Sequence, residues 1–289
     1  MNMQNNQTKK LPGMAAVMLM LLIPVSSSAQ KFNRAEVTKV RNDVKLLTGT
    51  KQSRPASEGS VVSGETAVRT GLKSRAQMDF PDESIVRLGS NSVFSFKEGK
   101  RNVDLDKGTI LMQVPKNLGK TRIRTSSISA AITGTTVMIE YIPPVKDSAG
   151  RVIRPGTFKA IVIEGTLELE LNNVPGQLLT LKAGEMAAFP TNIRVLPKKF
   201  IIDLERLVKT SILIEGDMGP LPHKPIIIRE VENQNKEKKD GRLVEAGAIR
   251  DPDKMTPLPD KDINNSRRLT PIRPVRLPDR PERPERPDR

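Results

Sequence analysis

Asp79, Asp82 and Glu83 form the tightest carboxylate cluster in this sequence. Acids that close could ligate calcium, or two of them could act as acid and base across a glycosidic bond. Calcium takes about six to eight oxygens around one point, so three acids are too few. Pro81 and Asp82 also mark the stretch as a turn, and a solvated corner is the expectation. Thr135 and Thr136 follow Gly134 and could hydrogen-bond a ligand. As β-branched neighbours they are expected instead to pair across strands. His223 is the only histidine and stands beside Pro222. One histidine excludes a His-rich zinc site and leaves a Ser-His-Asp arrangement a single candidate, here expected to be a solvated linker residue. The chain has no Cys, which removes thiolate metal sites, cysteine nucleophiles and disulfides. Phosphate loops, dinucleotide fingerprints and metalloprotease motifs do not occur. The residues therefore predict no enzyme, no catalytic residue, no metal and no cofactor.

The chain of 289 residues has no Trp and one Tyr, Tyr141. Its core must be built from aliphatic side chains, and ring-lined sites for sugars or nucleobases are not expected. The formal net charge is +15. The excess is spread along the chain without a Lys/Arg block, which argues against a nucleic-acid partner. A mildly cationic surface facing an anionic cell envelope is the expectation.

Lys9-Lys10, the apolar run from Leu11 to Val25, and Ser26-Ser27-Ser28-Ala29 read as a secretory signal peptide. Cleavage is expected between Ala29 and Gln30, with Ser27 at −3. The competing reading is a retained anchor. The run falls short of the roughly 18–20 apolar residues of a spanning helix, and Pro12, Gly13 and Pro24 interrupt it. The mature chain is expected in the periplasm or outside the cell, with no integral membrane segment.

From Val61 to Phe189 short alternating runs recur between Gly-containing turns, as in Ala67–Thr70, Ala76–Phe80, Ser84–Leu88, Ser92–Phe96 and Thr121–Thr125. This spacing predicts an all-β fold with glycine at its corners. The polar stretch from Thr48 to Glu58 reads as a loop, and Pro143–Pro155 as a hairpin or inserted loop. Phe200–Leu213 changes to a helical period, with Ile201, Leu204, Leu207 and Val208 on one side, and predicts a capping helix. Ile226-Ile227-Ile228 reads as one edge strand. The Pro/Arg/acid repeat from Pro271 cannot bury apolar surface and predicts a disordered, partly polyproline-like tail. The expected organisation is a signal peptide over 1–29, strands and a loop over 31–60, a β domain over 61–198, a capping helix over 199–215 and a largely disordered tail over 216–289.

The corner residues resemble the FecR-domain family, the extracytoplasmic module of iron-dicitrate-type regulators. The resemblance runs from about Val37 to Leu213. It rests on Val68-Arg69-Thr70-Gly71, Phe80-Pro81-Asp82, Val86-Arg87-Leu88-Gly89, Lys107-Gly108-Thr109, Gly134-Thr135-Thr136, Glu164-Gly165-Thr166 and Leu181-Lys182-Ala183-Gly184-Glu185. It marks Thr70, Gly71, Asp82, Gly89, Gly108, Gly134, Thr135, Gly165, Gly184 and Glu185 as structural motif positions. It implies a short β-solenoid or β-helix-like stack; the residues alone leave jelly roll and sandwich open. Where the family has Gly after the Pro-Asp corner this chain has Glu83, which fits a type I turn. Regulatory members place a cytoplasmic sigma-factor-controlling segment and a membrane helix before the module. A signal peptide in that place withholds the regulatory output. The resemblance therefore implies an exported β module for protein interaction or signal sensing, with an envelope protein as partner. A carbohydrate- or cell-wall-binding module is the alternative, and a hydrolase or lyase on a β-helix a third reading.

Overall fold

Alternation of buried and exposed residues sets the strands, and the computed structural model describes residues 33–49, 52–64, 66–240 and 243. The N-terminal strands are β1 (Arg34–Arg41), β2 (Val44–Thr48), β3 (Gln52–Pro55), β4 (Val61–Ser63) and β5 (Thr66–Thr70). Then come β6 (Arg75–Asp79), β7 (Ile85–Leu88), β8 (Val93–Lys97) and the long β9 (Asn102–Gln113). Next are β10 (Thr121–Arg124), β11 (Ile128–Ile132), β12 (Thr136–Ile142), and the small hairpin β13 (Val145–Lys146) and β14 (Val152–Arg154). The last strands are β15 (Thr157–Glu164), β16 (Thr166–Leu171), β17 (Val174–Lys182), β18 (Glu185–Pro190) and β19 (Phe200–Ile201). Three helices follow, α1 (Leu204–Thr210), α2 (Ile212–Glu215) and α3 (Lys224–Lys239).

Apart from the hairpin β13–β14, these strands form two sheets. The inner sheet runs β4-β1-β6-β7-β9-β12-β15-β18-β19, antiparallel throughout. The outer sheet runs β3-β2-β5-β8-β9-β10-β11-β16-β17. β9 belongs to both, pairing through its first half in the outer sheet and its second half in the inner one. Among the described pairs only β9 with β10 is parallel. Chain leaving β9 crosses one edge of the stack and returns as β10, a single solenoid-like turn between two sets of antiparallel hairpins. Two sheets face to face, one of the architectures the residues left open, is thus the arrangement that forms, and among the described residues the strands close no barrel.

One apolar layer lies between the sheets. Val68, Phe94, Leu105, Ile128 and Leu169 enter it from the outer sheet, and Met78, Val86, Ile110, Val137 and Val162 from the inner one. Full burial of each such side chain contributes about 1.5–3 kcal/mol. The inner sheet is covered on its second face as well. Leu111, Ile161, Ile163 and Met186 pack there against Leu204, Leu207, Leu213 and Ile227 of the helices. β15 accordingly carries a nearly continuous apolar run, where a half-exposed strand would alternate.

Several expectations are corrected here. The polar 48–58 stretch contains β3, an edge strand with every residue exposed and held only by backbone pairing to β2. The single capping helix over 199–215 is two short helices. Asp203 caps α1 by accepting the Arg206 amide at 3.0 Å. The third helix occupies 224–239, inside the segment expected as tail, and its first turn holds Ile226-Ile227-Ile228, expected as a strand. Pro225 at its start suits a first helical turn, and Lys236, Lys238 and Lys239 suit its end. Glu83 sits at φ +66°, the left-handed position that follows the turn closed by Glu83 N–H to Phe80 O at 3.0 Å. The signal segment with Ala29 and Gln30, and residues 244–289, lie outside the described residues.

Candidate interaction surface

Bending each hairpin from one sheet to the other requires the chain to turn at a corner where neighbouring backbones nearly touch. The corners fall into two rows, on opposite edges of the inner sheet. The first row stacks Asp43, Gly71, Gly89 and Gly108. Gly71 N–H donates to Asp43 O at 2.8 Å, Asn91 N–H to Gly71 O at 3.0 Å, and Gly89 N–H to Thr109 O at 2.8 Å. Two hydroxyls stitch the row. Buried Thr70 donates to Gly89 O at 2.6 Å and accepts the Ser92 amide at 2.9 Å. Ser92 Oγ in turn contacts Gly89 O at 3.0 Å and Thr109 O at 3.1 Å, and accepts the Thr109 amide at 2.9 Å. Gly108, at φ +95°, lies flat against Ser92, and a Cβ there would overlap Ser92 Cα.

The second row stacks Gly134, Gly165 and Gly184, all at positive φ. Thr135 takes the place that Thr70 has in the first row. Its hydroxyl donates to Thr166 O at 2.9 Å, and its carbonyl accepts the Val114 amide at 3.0 Å. A Cβ on Gly165 would stand 2.8 Å from Gly134 O. Gly184 N–H donates to Val162 O at 2.9 Å, and Glu185 Oε2 receives the Lys182 amide and the Lys199 ammonium at 2.8 Å each. Across both rows, the motif residues hold backbone.

The acidic cluster does not converge. Asp79 Oδ1 accepts from Thr38 Oγ1 at 3.0 Å and Gln77 Nε2 at 2.8 Å. Asp82 accepts the Ser84 amide at 2.9 Å and pairs with Arg101, which also donates to Thr121 Oγ1 at 2.9 Å. That pair ties the β6–β7 tip to the outer sheet. Among the described residues no group of three or more His, Asp or Glu could hold a metal ion.

Two buried anchors and one polar cluster were missed by sequence reasoning. Arg87, in the middle of the inner sheet, is fully buried. Its guanidinium donates to Gln77 Oε1 at 2.8 Å, Leu213 O at 2.9 Å and Gly219 O at 2.8 Å, fixing the end of α2 and the turn beyond it. Burial pulls Arg87 below its ordinary pKa, and the charges of Asp79 and Glu215 pull it back up. Gln234 of α3 is the counterpart on the second row. It accepts the Leu204 amide at 2.9 Å, donates to Ile202 O at 2.9 Å, and rests on Gly184. His223 is no solvated linker residue. Its amide donates to Gln113 Oε1 at 3.3 Å, and its Nδ1 stands 3.9 Å from Glu164 Oε2. Glu164, Thr136 and Gln113 form a buried chain there, with Thr136 Oγ1 3.1 Å from Glu164 Oε2 and 3.2 Å from Gln113 Nε2.

A cleft of about 570 Å³ lies between α3 and the Gly165 and Gly184 corners, rimmed by Lys182, Glu185, Glu230 and Glu237. On its rim Glu185 already holds Lys199 and the Lys182 amide. What the module offers to solvent is backbone at its edges. The outer sheet ends at β3 and β17, and Leu178 on β17 is 63% exposed. No helix among the described residues is long and apolar enough to cross a membrane.

Comparison with known proteins supplies one family. Two crystal structures of a candidate anti-sigma factor from Parabacteroides distasonis ATCC 8503, at 1.65 and 2.50 Å resolution, share 16% and 15% identity with this chain, each with a TM-score of 0.38. In both, the match covers 49% of this chain and 62% of the solved one, so this chain spans about three fifths of that protein's length. The comparison with curated proteins returns no match. The family described as FecR protein matches residues 66–167, from β5 into β16, and so takes in Gly71, Gly89, Gly108, Gly134 and Gly165. Residues 66–167 therefore match the FecR family, and that stretch of the chain is a FecR domain.

Proposed function

We propose that this chain is an exported, non-enzymatic FecR module that binds a protein at the cell envelope, in an interaction or signal-sensing role. One observation carries the reading: the motif side chains are committed to holding corners, while strand edges are what the module presents outward. Such edges accept extended partner segments through their free N–H and C=O groups. Export rests on Lys9-Lys10, the apolar run after them and the Ala29/Gln30 cleavage site. A protein partner is favoured over a cell-wall polymer because sugar recognition leans on exposed rings. Among the described residues Phe80, Phe94, Phe96, Tyr141, Phe158 and Phe189 are all buried, and Phe200 is half-buried.

The test is to fractionate producing cells, sequence the N-terminus of the mature chain, cross-link intact cells, and pass the purified chain over envelope polymers. The expected result is a chain starting at Gln30 outside the cytoplasm, cross-linked to an envelope protein and not retained on glycan. A cytosolic full-length chain, or retention on glycan without a protein partner, overturns the reading.

A further inference from the structure

We propose that the hairpin β13–β14 is a docking arm that receives an extended, acidic segment of the partner protein as a third strand; this rests on the reading above that the module binds a protein. Among the described residues the strands of the arm pair only with each other. Nine large hydrophobic side chains are markedly exposed among the described residues, and three of them, Ile142 (48%), Val152 (54%) and Ile153 (66%), fall in this one short segment. An isolated two-stranded ribbon is marginal in water and gains stability when a third strand joins it.

The arm is nevertheless held in shape. At its tip the Asp147 carboxylate accepts the Ala149 amide at 3.0 Å, the Arg151 amide at 2.9 Å and Arg151 Nε at 2.7 Å. At its base Pro143, Pro144 and Pro155 restrict the backbone, and Gly156 packs on the Ile142 carbonyl while its own carbonyl accepts the Thr191 amide at 2.9 Å. A preorganised strand loses little freedom on binding. Its register carries a bulge: Val145 faces Arg154 and Lys146 faces Val152, so Ile153 is unopposed within the hairpin and its side chain stands 66% exposed.

Charge selects the occupant. Arg151 is engaged with Asp147, while Lys146 and Arg154 make no ion pair among the described residues. An acidic strand would meet both. A second copy of the arm would set Lys146 and Arg154 against themselves. A lipid surface fits poorly, because the tip is Asp147-Ser148-Ala149-Gly150 and tip-first insertion would bury the Asp147 carboxylate.

The experiment places a photo-reactive phenylalanine at Ile153, at Leu72 and at Leu178 of the full chain in producing cells, and identifies adducts by mass. Position 153 is expected to label an Asp/Glu-rich segment of an envelope protein. A synthetic peptide of that segment should bind the mature chain about tenfold more weakly after Arg154→Glu, with the melting temperature unchanged because Arg154 is exposed. A lipid adduct, an adduct to a second copy, a labelled segment without acidic residues, or an affinity unmoved by Arg154→Glu overturns the proposal. Labelling of a protein from Leu72 or Leu178 but not from 153 sinks the arm and leaves the interaction reading standing. No protein adduct from any position sinks both.

Discussion

At the first row of corners Gly71 and Gly89 keep ordinary φ, and the hydroxyls of Thr70 and Ser92 close the backbone from within the row. At the second row Gly134, Gly165 and Gly184 all need positive φ, and one of the closing side chains, Gln234, comes from a helix about fifty residues beyond the last corner. Each half has its own aromatic pair, Phe80 with Phe96 at 5.1 Å and Phe158 with Phe189 at 5.4 Å. The halves differ in how the helical layer is fastened. In the first, a charged side chain of the sheet, Arg87, reaches out to helix carbonyls. In the second, a neutral amide of the helix reaches in to the sheet. The first half is thus closed by its own residues, and the second depends on α3 staying in place.

The largest expected effect is on Arg87. Arg87→Met leaves Leu213 O, Gly219 O and Gln77 buried without their donor and should lower stability by about 3 kcal/mol or more in urea unfolding. Gly108→Ala comes next, at about 3 kcal/mol, because it combines a left-handed φ with overlap on Ser92 backbone. Gly89→Ala, at ordinary φ with Thr109 Cβ 3.2 Å away, should lose only about 1 kcal/mol; equal losses at the two would break the distinction between strain and crowding. Gln234→Ala removes the partners of Leu204 N–H and Ile202 O and should lose about 2 kcal/mol, with protease cleavage appearing in α3 before the first half.

The smallest effect is a pH dependence at the join between first half and helices. Hydrogen bonds from Arg75 hold the Asp217 carboxyl below its ordinary value, with the charges of Arg75 and Arg41 adding to them. A carboxyl depressed on folding contributes stability above its unfolded pKa and loses it as pH falls through the folded value. Asp217 is well exposed, so solvent screening keeps the contribution under about 1 kcal/mol. Asp217→Asn should therefore lower stability by less than about 1 kcal/mol at neutral pH and leave low pH nearly unchanged, which flattens the acid limb of a stability–pH curve slightly.

Corners and strands were readable because glycine and alternation are local signals. The order of Thr70, Gly71, Gly89, Gly108, Gly134 and Gly165 marked both rows, though not that there were two. The helical layer was harder. Ile226-Ile227-Ile228 has a strand's composition, and only Ile227, Val231 and Gln234, spaced four and three apart, show the face that meets the sheet. Pro225 and the late lysines carried the helix signal, but three adjacent β-branched residues outweighed it. β3 has no apolar pattern to read, since it is held by backbone bonds alone. Arg87 sat inside an apolar run without any sequence sign that carbonyls from more than a hundred residues away would surround it. His223 likewise gains its meaning only when α3 begins above Glu164.

Amide hydrogen exchange on the mature chain and on Gln234→Ala tests the contrast between the halves most directly. In Gln234→Ala the amides of Gly184, Ile202 and Leu204 should exchange well before those of Gly71, Gly89 and Thr109, which should still open only with global unfolding. If both rows lose protection together, the first half does not close on its own residues and the account is wrong.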